Sequence, residues 1–344
     1  FELPFDLSDT LFVLTANTLD TIPSALIDRM EIIELPSYTR EEKFNIAKRH
    51  LIRKQMERHG LTNESFKITD KAVYDLIDFY TREAGVRSLE RKIASLCRKA
   101  AREIVENPSK KQIVKIDTKN LPQFLGRHRY RLEYISQTDE VGVVNGLAWT
   151  RVGGEIMQIE AAVLDGTGKV VLTGSLGNVM KESAQAAISY IRSISKSLGI
   201  DGSFYKDKDI HIHATEGAVP KDGPSAGVTI ATAVVSALTG RPVRRDVAMT
   251  GEITIRGRVL PIGGLREKTM AAYKSGIKTV IIPEENIKDL EEIDDKVKSS
   301  LKIVPVTSAD AVFDIALKLA LQSEEVSHMQ PALKTKITAA SSRR

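Results

Sequence analysis

The sequence predicts an α/β domain that follows a small all-α domain and the remnant of a further domain. Three observations support this prediction. Residues 39–118 place apolar side chains at helical spacing, residues 131–322 alternate short apolar strands with helices, and residues 1–38 hold a single apolar strand. We therefore expect three folded parts, with a linker at 119–130 and a flexible polar tail at 323–344.

The N-terminal part is expected to be the end of a larger domain. Residues 11–15 (LFVLT) have the continuous apolar character of a strand that is buried in a parallel sheet. A lone central strand cannot form a domain. We therefore expect the preceding part of this domain to lie outside the chain.

Three amphipathic helices are predicted for the all-α domain. Thr39 and Glu42 form a capping box that opens the first helix, and the second runs from about residue 70 to residue 80. The third helix has the most regular apolar spacing, at Val86, Leu89, Ile93, Leu96, Ala100 and Ile104. A short strand, IVKI, ends this domain.

The α/β domain is predicted from short apolar runs that are separated by helical patterns. The predicted strands are residues 170–173, residues 210–213, KTVII and KIVPV. The predicted helices cover residues 181–198 and 265–275 and the segments after Ser225, Pro283 and Ser308, with a hairpin through Gly257.

The composition is typical of a soluble globular protein. The net charge of +5 is the small difference between 50 basic and 45 acidic residues, so it gives little support to a nucleic-acid partner. A single cysteine, Cys97, excludes an intrachain disulfide and a cysteine metal cluster. No apolar run approaches the ~20 residues of a membrane span and no signal segment is visible. We expect a bacterial cytoplasmic protein, with the mitochondrial matrix as the alternative.

Ser225 is placed as a nucleophile would be. It lies in KDGPSAG, residues 221–227, directly before an apolar helix, and Gly223-x-Ser225-x-Gly227 satisfies the G-x-S-x-G elbow of α/β-hydrolases. That motif requires a histidine later in the chain. Only His328, in the predicted tail, follows Ser225. The order of residues therefore argues against a hydrolase of this type.

His211 and His213 precede Ser225 and share one face of a predicted strand. A chymotrypsin-like order would allow either histidine to act as base, whereas an ordinary polar sheet face explains both equally well. A zinc pair would need a third ligand, for which only Glu216 lies near in sequence. We expect no metal.

A lysine is the remaining candidate for the base. Lysine is protonated at neutral pH, because its ordinary pKa is about 10.4, but burial lowers that pKa by several units. Lys268 lies one turn into a helix that PIGG precedes, beside Leu265 and Met270. The spacing alone leaves a buried base and an ordinary surface lysine both open.

The helix that follows Ser225 offers donors for an oxyanion. The first turn of a helix leaves backbone N–H groups unpaired at its positive end. We expect the backbone of Gly223, Pro224, Ala226 and Gly227 to form this part of the site, with the two glycines permitting close approach of the substrate. The alternative is that Ser225 acts only as an N-cap.

KDGPSAG, MTGE (249–252) and GGLREK (263–268) together resemble, in order and spacing, the proteolytic domain of Lon, the ATP-dependent serine protease family. The resemblance extends from about residue 131 to residue 320. It implies a Ser–Lys dyad of Ser225 and Lys268, with Thr250 bonded to the lysine. It also assigns roles in shaping the site to Asp222, Glu160, His211 and His213.

The N-terminal half resembles the Lon AAA+ module, namely the end of its large subdomain and its small lid subdomain. The resemblance places Asn17 at the sensor-1 position, Arg29 at the arginine finger and Arg87 at sensor 2. Walker A and B motifs are missing: GTGKV (166–170) departs at both ends of the pattern and is interpreted as a turn. We expect ATP and Mg in the full-length family protein, no cofactor for peptide cleavage, and no ATP hydrolysis by this chain alone.

The resemblance implies a serine endopeptidase within a homo-hexameric, ATP-dependent protease that degrades misfolded, unfolded and regulatory proteins. One alternative is a DNA-binding module, with non-specific DNA also a candidate partner of the protease. Its basic residues would be the segment RHLIRKQMERHG with Arg87, Arg91, Lys92, Arg98 and Lys99. A proteolytically silent structural or adaptor role is the other alternative.

Overall fold

The structure is a computed structural model, and it describes residues 6–16, 19, 21–33, 35, 37–107, 113–130, 135–150, 153–215 and 222–319. Two compact units result, residues 1–36 and residues 37–344. Asn17 and the tail predicted at 323–344 lie outside the described residues. Within the described part, no helix combines the length and apolar character that crossing a membrane requires.

The first unit contains one short helix, α1 (Ser24–Ile27), among its described residues. Residues 11–16 are irregular, and Leu11 and Val13 are 88% and 80% exposed. The strand predicted at residues 11–15 is therefore wrong. A strand must bond its backbone groups to a neighbouring strand, and the described part of this unit offers none.

The second unit begins with a helical part, residues 37–130. Its helices are α2 (Arg40–Ile46), α3 (Ile52–Arg58), α4 (Asp70–Asp75), α5 (Arg87–Glu106) and α6 (Leu121–Leu125). Two π-helical segments, Ala47–Leu51 and Leu76–Tyr80, join α2 to α3 and extend α4. A parallel pair of short strands, β1 (Phe66–Ile68) and β2 (Val114–Ile116), completes it.

The three predicted helices are confirmed, and the third buries most of the apolar side that its spacing predicts. The capping box forms, since Thr39 accepts from the Glu42 N–H and the Glu42 carboxylate accepts from the Thr39 N–H. Leu89, Ile93 and Leu96 of α5 are at most 1% exposed in a core that belongs to this part alone. The helical part is therefore held by its own apolar packing.

The segment predicted as a linker, residues 119–130, is instead folded onto this core. Leu121 is fully buried, and the Tyr80 hydroxyl donates to the Gly126 carbonyl at 2.9 Å. The His128 ring stacks on Phe79 with centroids 4.4 Å apart. The polar composition of the segment predicted a linker, because only one side of the short helix α6 is buried.

A seven-stranded mixed sheet organises the remainder of the unit. Its strands, in chain order, are β3 (Val143–Thr150), β4 (Gly153–Asp165), β5 (Val170–Thr173), β6 (Lys208–Ala214), β7 (Val247–Met249), β10 (Thr279–Pro283) and β11 (Lys302–Val306). Two further short strands, β8 (Glu252–Ile253) and β9 (Val259–Leu260), lie between β7 and β10 in the chain. The sheet has the order β11-β10-β7-β3-β4-β6-β5, and β8 and β9 form a separate hairpin. β4 runs antiparallel to β3 and β6, and the other neighbours are parallel.

Helices cover both faces of this sheet. They are α7 (Asn178–Ile194), α8 (Phe204–Asp207), α9 (Gly227–Thr239), α10 (Leu265–Lys274), α11 (Asp295–Ser300) and α12 (Ala309–Ala316), with 3₁₀ segments at Pro224–Ala226 and Glu284–Glu292. Successive strand residues point to opposite faces, so Val247 and Met249 join the core with α7, α9 and α12, whereas Ala248 joins the core with α10 and α11. The α/β class is confirmed.

The strands predicted for this part are confirmed, and so are its helices, except that the segment after Pro283 is a 3₁₀ helix, Glu284–Glu292. The central strands were not named from the sequence. The hairpin through Gly257 and the helix opened by Ser308 both form. β3 and β7 at the middle of the sheet have no clean period, because strands buried on both faces lack the alternation of a half-exposed strand. β4, whose second half alternates exposed and partly buried residues, was also not named.

Replacing Leu96 with Ala is predicted to destabilise the helical part by roughly 2–5 kcal/mol, because the side chain is fully buried in its core. Urea unfolding followed by circular dichroism measures this. Val105→Ala on the same helix is the control, since Val105 is 77% exposed. Equal losses in the two variants would show that α5 does not carry the core.

Candidate active site

Ser225 lies in the 3₁₀ turn Pro224–Ala226, which leads directly into α9. Gly223 before it has φ of +146°, a conformation that glycine adopts far more readily than other residues. The Ser225 carbonyl accepts from the Gly251 N–H at 2.9 Å. The half-buried serine is thus fixed by its backbone at the start of a buried helix.

Lys268 is buried, with 2% of its surface exposed, on the first turns of α10. Its Nζ donates to Thr250 Oγ1 at 3.1 Å. Burial lowers the pKa of Lys268 to about 8, because an ammonium loses its hydration in an apolar environment. Of the two readings that the spacing left open, the surface lysine is therefore wrong.

Thr250 connects the lysine to the backbone of Ser225. It follows β7 directly, and its N–H donates to Ile281 of β10 at 3.1 Å, which anchors it to the sheet. Its hydroxyl accepts from Lys268 and donates to the Ser225 carbonyl at 3.4 Å. Thr250 therefore connects the two faces of the sheet at the C-terminal end of β7. Lys268 reaches it from α10 on one face, and the turn that carries Ser225 reaches it from the face of α9.

Two glycines set the position of α10. Gly264, the N-cap of the helix, has φ of +70° and lies against the Trp149 ring. Gly154 of β4 lies so close that a Cβ there would be 2.0 Å from the Glu267 carbonyl oxygen and 3.0 Å from the Lys268 nitrogen. Gly154 was missed from the sequence, although a glycine inside a strand often marks a close backbone approach.

Asp222 holds the turn that carries Ser225 to the N-terminus of α7. Its carboxylate accepts from the backbone N–H groups of Met180 and Gly223, each at 3.1 Å. A Cβ at Gly177 would lie 2.1 Å from the Asp222 carboxyl carbon, so only glycine leaves room for this cap. Ser183 of α7, which the sequence did not reveal, adds a hydrogen bond to the Pro224 carbonyl at 3.2 Å.

His211 and His213 form a polar face of the sheet. Thr173 Oγ1 of β5 lies 2.9 Å from His211 Nε2 and 2.8 Å from His213 Nδ1. Glu160 of β4 is exposed and pairs in register with His213. Both histidines contact Thr173 rather than Ser225, which supports the polar-face interpretation over a histidine base.

The zinc alternative gains no support. Glu216 lies outside the described residues, and among those described no three His, Cys, Asp or Glu side chains are grouped to hold a metal ion.

The backbone donors predicted near Ser225 are used unequally. Pro224 has no N–H, Gly227 donates to the Pro224 carbonyl, and Gly223 donates to the Asp222 carboxylate. The Ala226 N–H, the last of the predicted set, lies within the same 3₁₀ turn. Gly227 was expected to make room for substrate, but a Cβ there would meet Ile253 at 2.7 Å and Ser183 at 2.8 Å, so its small size serves packing.

Two of the three residues predicted to sense nucleotide, Arg29 and Arg87, are among the described residues. Asn17 is outside the described residues, and Arg29 is exposed shortly after α1. Arg87 begins α5 and lines an open groove of about 620 Å³, together with Lys54, Gln55, Arg58, His59, Glu90, Arg91, Ala94 and Arg98.

The GTGKV segment is a turn, as predicted, and does not fit a phosphate. The Asp209 carboxylate accepts from the backbone N–H groups of Thr167 and Lys169, both at 2.8 Å. These are the groups that a phosphate-binding loop would need, so a carboxylate already occupies the cradle.

The chain is similar to known proteins over most of its length. Residues 115–319 match the model of the Lon protease (S16) C-terminal proteolytic domain, and residues 57–113 match the Lon protease AAA+ ATPase lid domain. The Lon protease of Desulforamulus reducens is 56% identical over 316 residues, and that of Chloroflexus aggregans is 55% identical over 320 residues. In both cases the alignment covers 92% of this chain but only 39% of the relative, so the chain spans well under half of their length.

Replacing Gly154 with Ala is predicted to displace the first turn of α10 and so lower both stability and peptide hydrolysis. The added Cβ meets backbone rather than a movable side-chain end, so we expect the free energy of unfolding to fall by more than ~1 kcal/mol. Urea unfolding tests this. Gly263→Ala is the stability control, since a Cβ there meets nothing within 4 Å. Equal stability of the two variants would refute the close approach.

Proposed function

This chain belongs to the Lon protease family, and from that premise we propose that Ser225 and Lys268 are the nucleophile and the base of a serine endopeptidase. The observation that carries the proposal is the buried amine of Lys268, which reaches the backbone of Ser225 through one threonine. Among the described residues none forms an ion pair with Lys268, and a buried lysine without such a partner is costly to a fold, so a chemical use for its neutral form explains its presence.

Thr250 leaves the lysine lone pair free to accept a proton. A hydroxyl has one hydrogen, and here it is donated to the Ser225 carbonyl, so the same oxygen must accept from Lys268. One N–H of the amine is thereby committed to Thr250. In the neutral amine, the lone pair remains for the Ser225 hydroxyl.

In the proposed acylation step, Lys268 takes the hydroxyl proton while Ser225 Oγ bonds to the carbonyl carbon of the peptide. The carbonyl π electrons move onto its oxygen, and the backbone N–H of Ala226 is a donor for that oxyanion. When the C–N bond breaks, the Lys268 ammonium returns its proton to the leaving amine. The product is an ester between Ser225 and the acyl half of the substrate.

Deacylation repeats the sequence with water. Neutral Lys268 takes a proton from water as its oxygen bonds to the ester carbon, and the ammonium then protonates Ser225 Oγ as the ester bond breaks. Asp222 supports both steps by holding the turn that carries Ser225. We assign Glu160, His211 and His213 to the rim of the site, where their polar face supports the strands near it.

For the whole protein, we propose the ATP-dependent degradation of misfolded, unfolded and regulatory proteins by a homo-hexamer in a bacterial cytoplasm. ATP and Mg would act with residues that include Asn17, Arg29 and Arg87, whereas the Asp209-filled turn contributes no phosphate site. The family match favours a peptidase over the DNA-binding alternative, to which the comparisons lend no support.

Ser225→Ala and Lys268→Ala are each predicted to lower kcat for an unfolded peptide by at least ~10³-fold, because the first removes the attacking oxygen and the second the base. Hydrolysis of a fluorogenic peptide measures the rate, and labelling by a fluorophosphonate reports the serine directly. Lys278→Ala is the control, since that lysine is exposed just after the same helix. Near-normal turnover by Lys268→Ala would require another base.

The activity is predicted to rise roughly tenfold between pH 7 and pH 9 and then level off. Only the neutral amine accepts a proton, and with the pKa of Lys268 at about 8 its neutral fraction grows from roughly 10% to roughly 90% over that range. The dependence of kcat/KM on pH shows this inflection.

A second lysine with a lowered pKa, the half-buried Lys43, makes a control necessary. Burial lowers the pKa of Lys43 to about 8 as well, with a further contribution from nearby Lys274. Lys43→Gln should keep the inflection near pH 8. Loss of that inflection in Lys43→Gln, or a wild-type rise that continues towards pH 10, would contradict the assignment to Lys268.

A further inference from the structure

The helical part contacts the helix that carries Lys268. Ser37 donates a hydrogen bond to the Glu267 carboxylate at 3.1 Å, and Glu42 forms an ion pair with Arg266 at 3.7 Å. Both contacts fall on the residues that directly precede Lys268. Glu42 is also the residue of the capping box that opens α2, so its position is fixed by the start of that helix.

A second contact reaches the strand beneath the same helix. Arg82, just after the π-helical segment Leu76–Tyr80, donates to the Glu155 carboxylate of β4. Glu155 is 6% exposed, and its Oε1 is buried without a hydrogen-bond partner among the described residues. A buried carboxylate is costly unless a cation pairs with it. The guanidinium of Arg82 is therefore what makes this burial tolerable.

In β4, the residue that pairs with Arg82 is adjacent to the residue that packs against the backbone of Lys268. Gly154 precedes Glu155 and lies against the peptide that joins Glu267 to Lys268, where even a methyl group would not fit. A shift of Glu155 must therefore move β4 relative to the first turn of α10. In a close-packed site such a shift reaches the Lys268 amine rather than being absorbed.

We propose that the Arg82–Glu155 ion pair and the Ser37–Glu267 hydrogen bond act together as an interdomain clamp by which the helical part positions Lys268. The inference rests on the proposed dyad for its effect on activity. Arg82, Glu155, Ser37 and Glu267 are positioning residues, since they act through α10 and β4 and not on the substrate. An undocked helical part would leave the amine misplaced and its pocket open to water.

The clamp is tested with Glu155→Gln, Arg82→Gln and the Arg82→Gln/Glu155→Gln double variant. Arg82→Gln alone leaves a buried charge unpaired and is at risk of unfolding, whereas Glu155→Gln keeps the shape of the side chain and removes that charge. Thermal unfolding followed by circular dichroism selects the folded variants. Arg53→Gln is the matched control, because it breaks the exposed Arg53–Glu57 pair of the same helical part.

Two readouts are compared in each folded variant. Acetylation of lysines by acetic anhydride, followed by peptide mass spectrometry, reports access to the Lys268 amine relative to exposed Lys278, whatever the amine does in catalysis. We expect the Lys268 rate to rise about threefold or more as the pocket opens. Steady-state hydrolysis should show kcat reduced about tenfold with KM nearly unchanged, since misplacement of the base affects the chemical step.

Each outcome is decisive. Increased Lys268 acetylation together with reduced kcat supports the clamp, and a similar kcat for Arg82→Lys and wild type would show that a paired cation is what matters. Unchanged acetylation in folded Glu155→Gln overturns the clamp, and so does increased acetylation with unchanged kcat. If Ser225→Ala retains activity, the proposed dyad fails, while the acetylation data still decide whether the clamp positions Lys268.

Discussion

The hydrogen bond between the buried Lys268 amine and the Thr250 hydroxyl is the interaction on which the site depends. An amine in water is protonated at neutral pH and cannot accept a proton. Burial changes this by destabilising the ammonium, and it brings the pKa of Lys268 to about 8, where the neutral form is available. The Thr250 hydroxyl supplies a hydrogen-bond partner, which a buried polar group requires.

The sheet explains how this burial is achieved. α9 and α10 lie on opposite faces, and Thr250, directly after β7, joins the Lys268 amine to the backbone of Ser225. Close backbone approaches hold both helices there. Gly154 admits α10 against β4, and Gly227 admits α9 against Ile253 of the hairpin. The site is thus built from secondary structure rather than from mobile side chains, which is how a reacting geometry is kept within a fraction of an ångström.

The same architecture connects the site to other parts of the chain. Asp222 joins the Ser225 turn to α7, and the contacts of Ser37 and Arg82 join α10 and β4 to the helical part. A single buried carboxylate, Glu155, links that helical part to the strand beneath the lysine. The lid domain and the proteolytic domain of the family are adjacent in the sequence. These contacts show that the two are also bonded to each other in the folded chain.

The sequence by itself determined the elements whose period or chemistry is local. Helix spacing in α5, the capping box at Thr39, the turn at 166–169 and the order of KDGPSAG, MTGE and GGLREK were all readable, because each depends on residues close together in the chain. Only the tertiary structure decided the rest. Three features depend on segments that are far apart in sequence. They are the burial of Lys268, the hydrogen bond from the Met180 N–H to Asp222, and the need for glycine at position 154. Residues 11–15 show the converse, since an apolar pattern becomes a strand only where a partner exists to complete its hydrogen bonds.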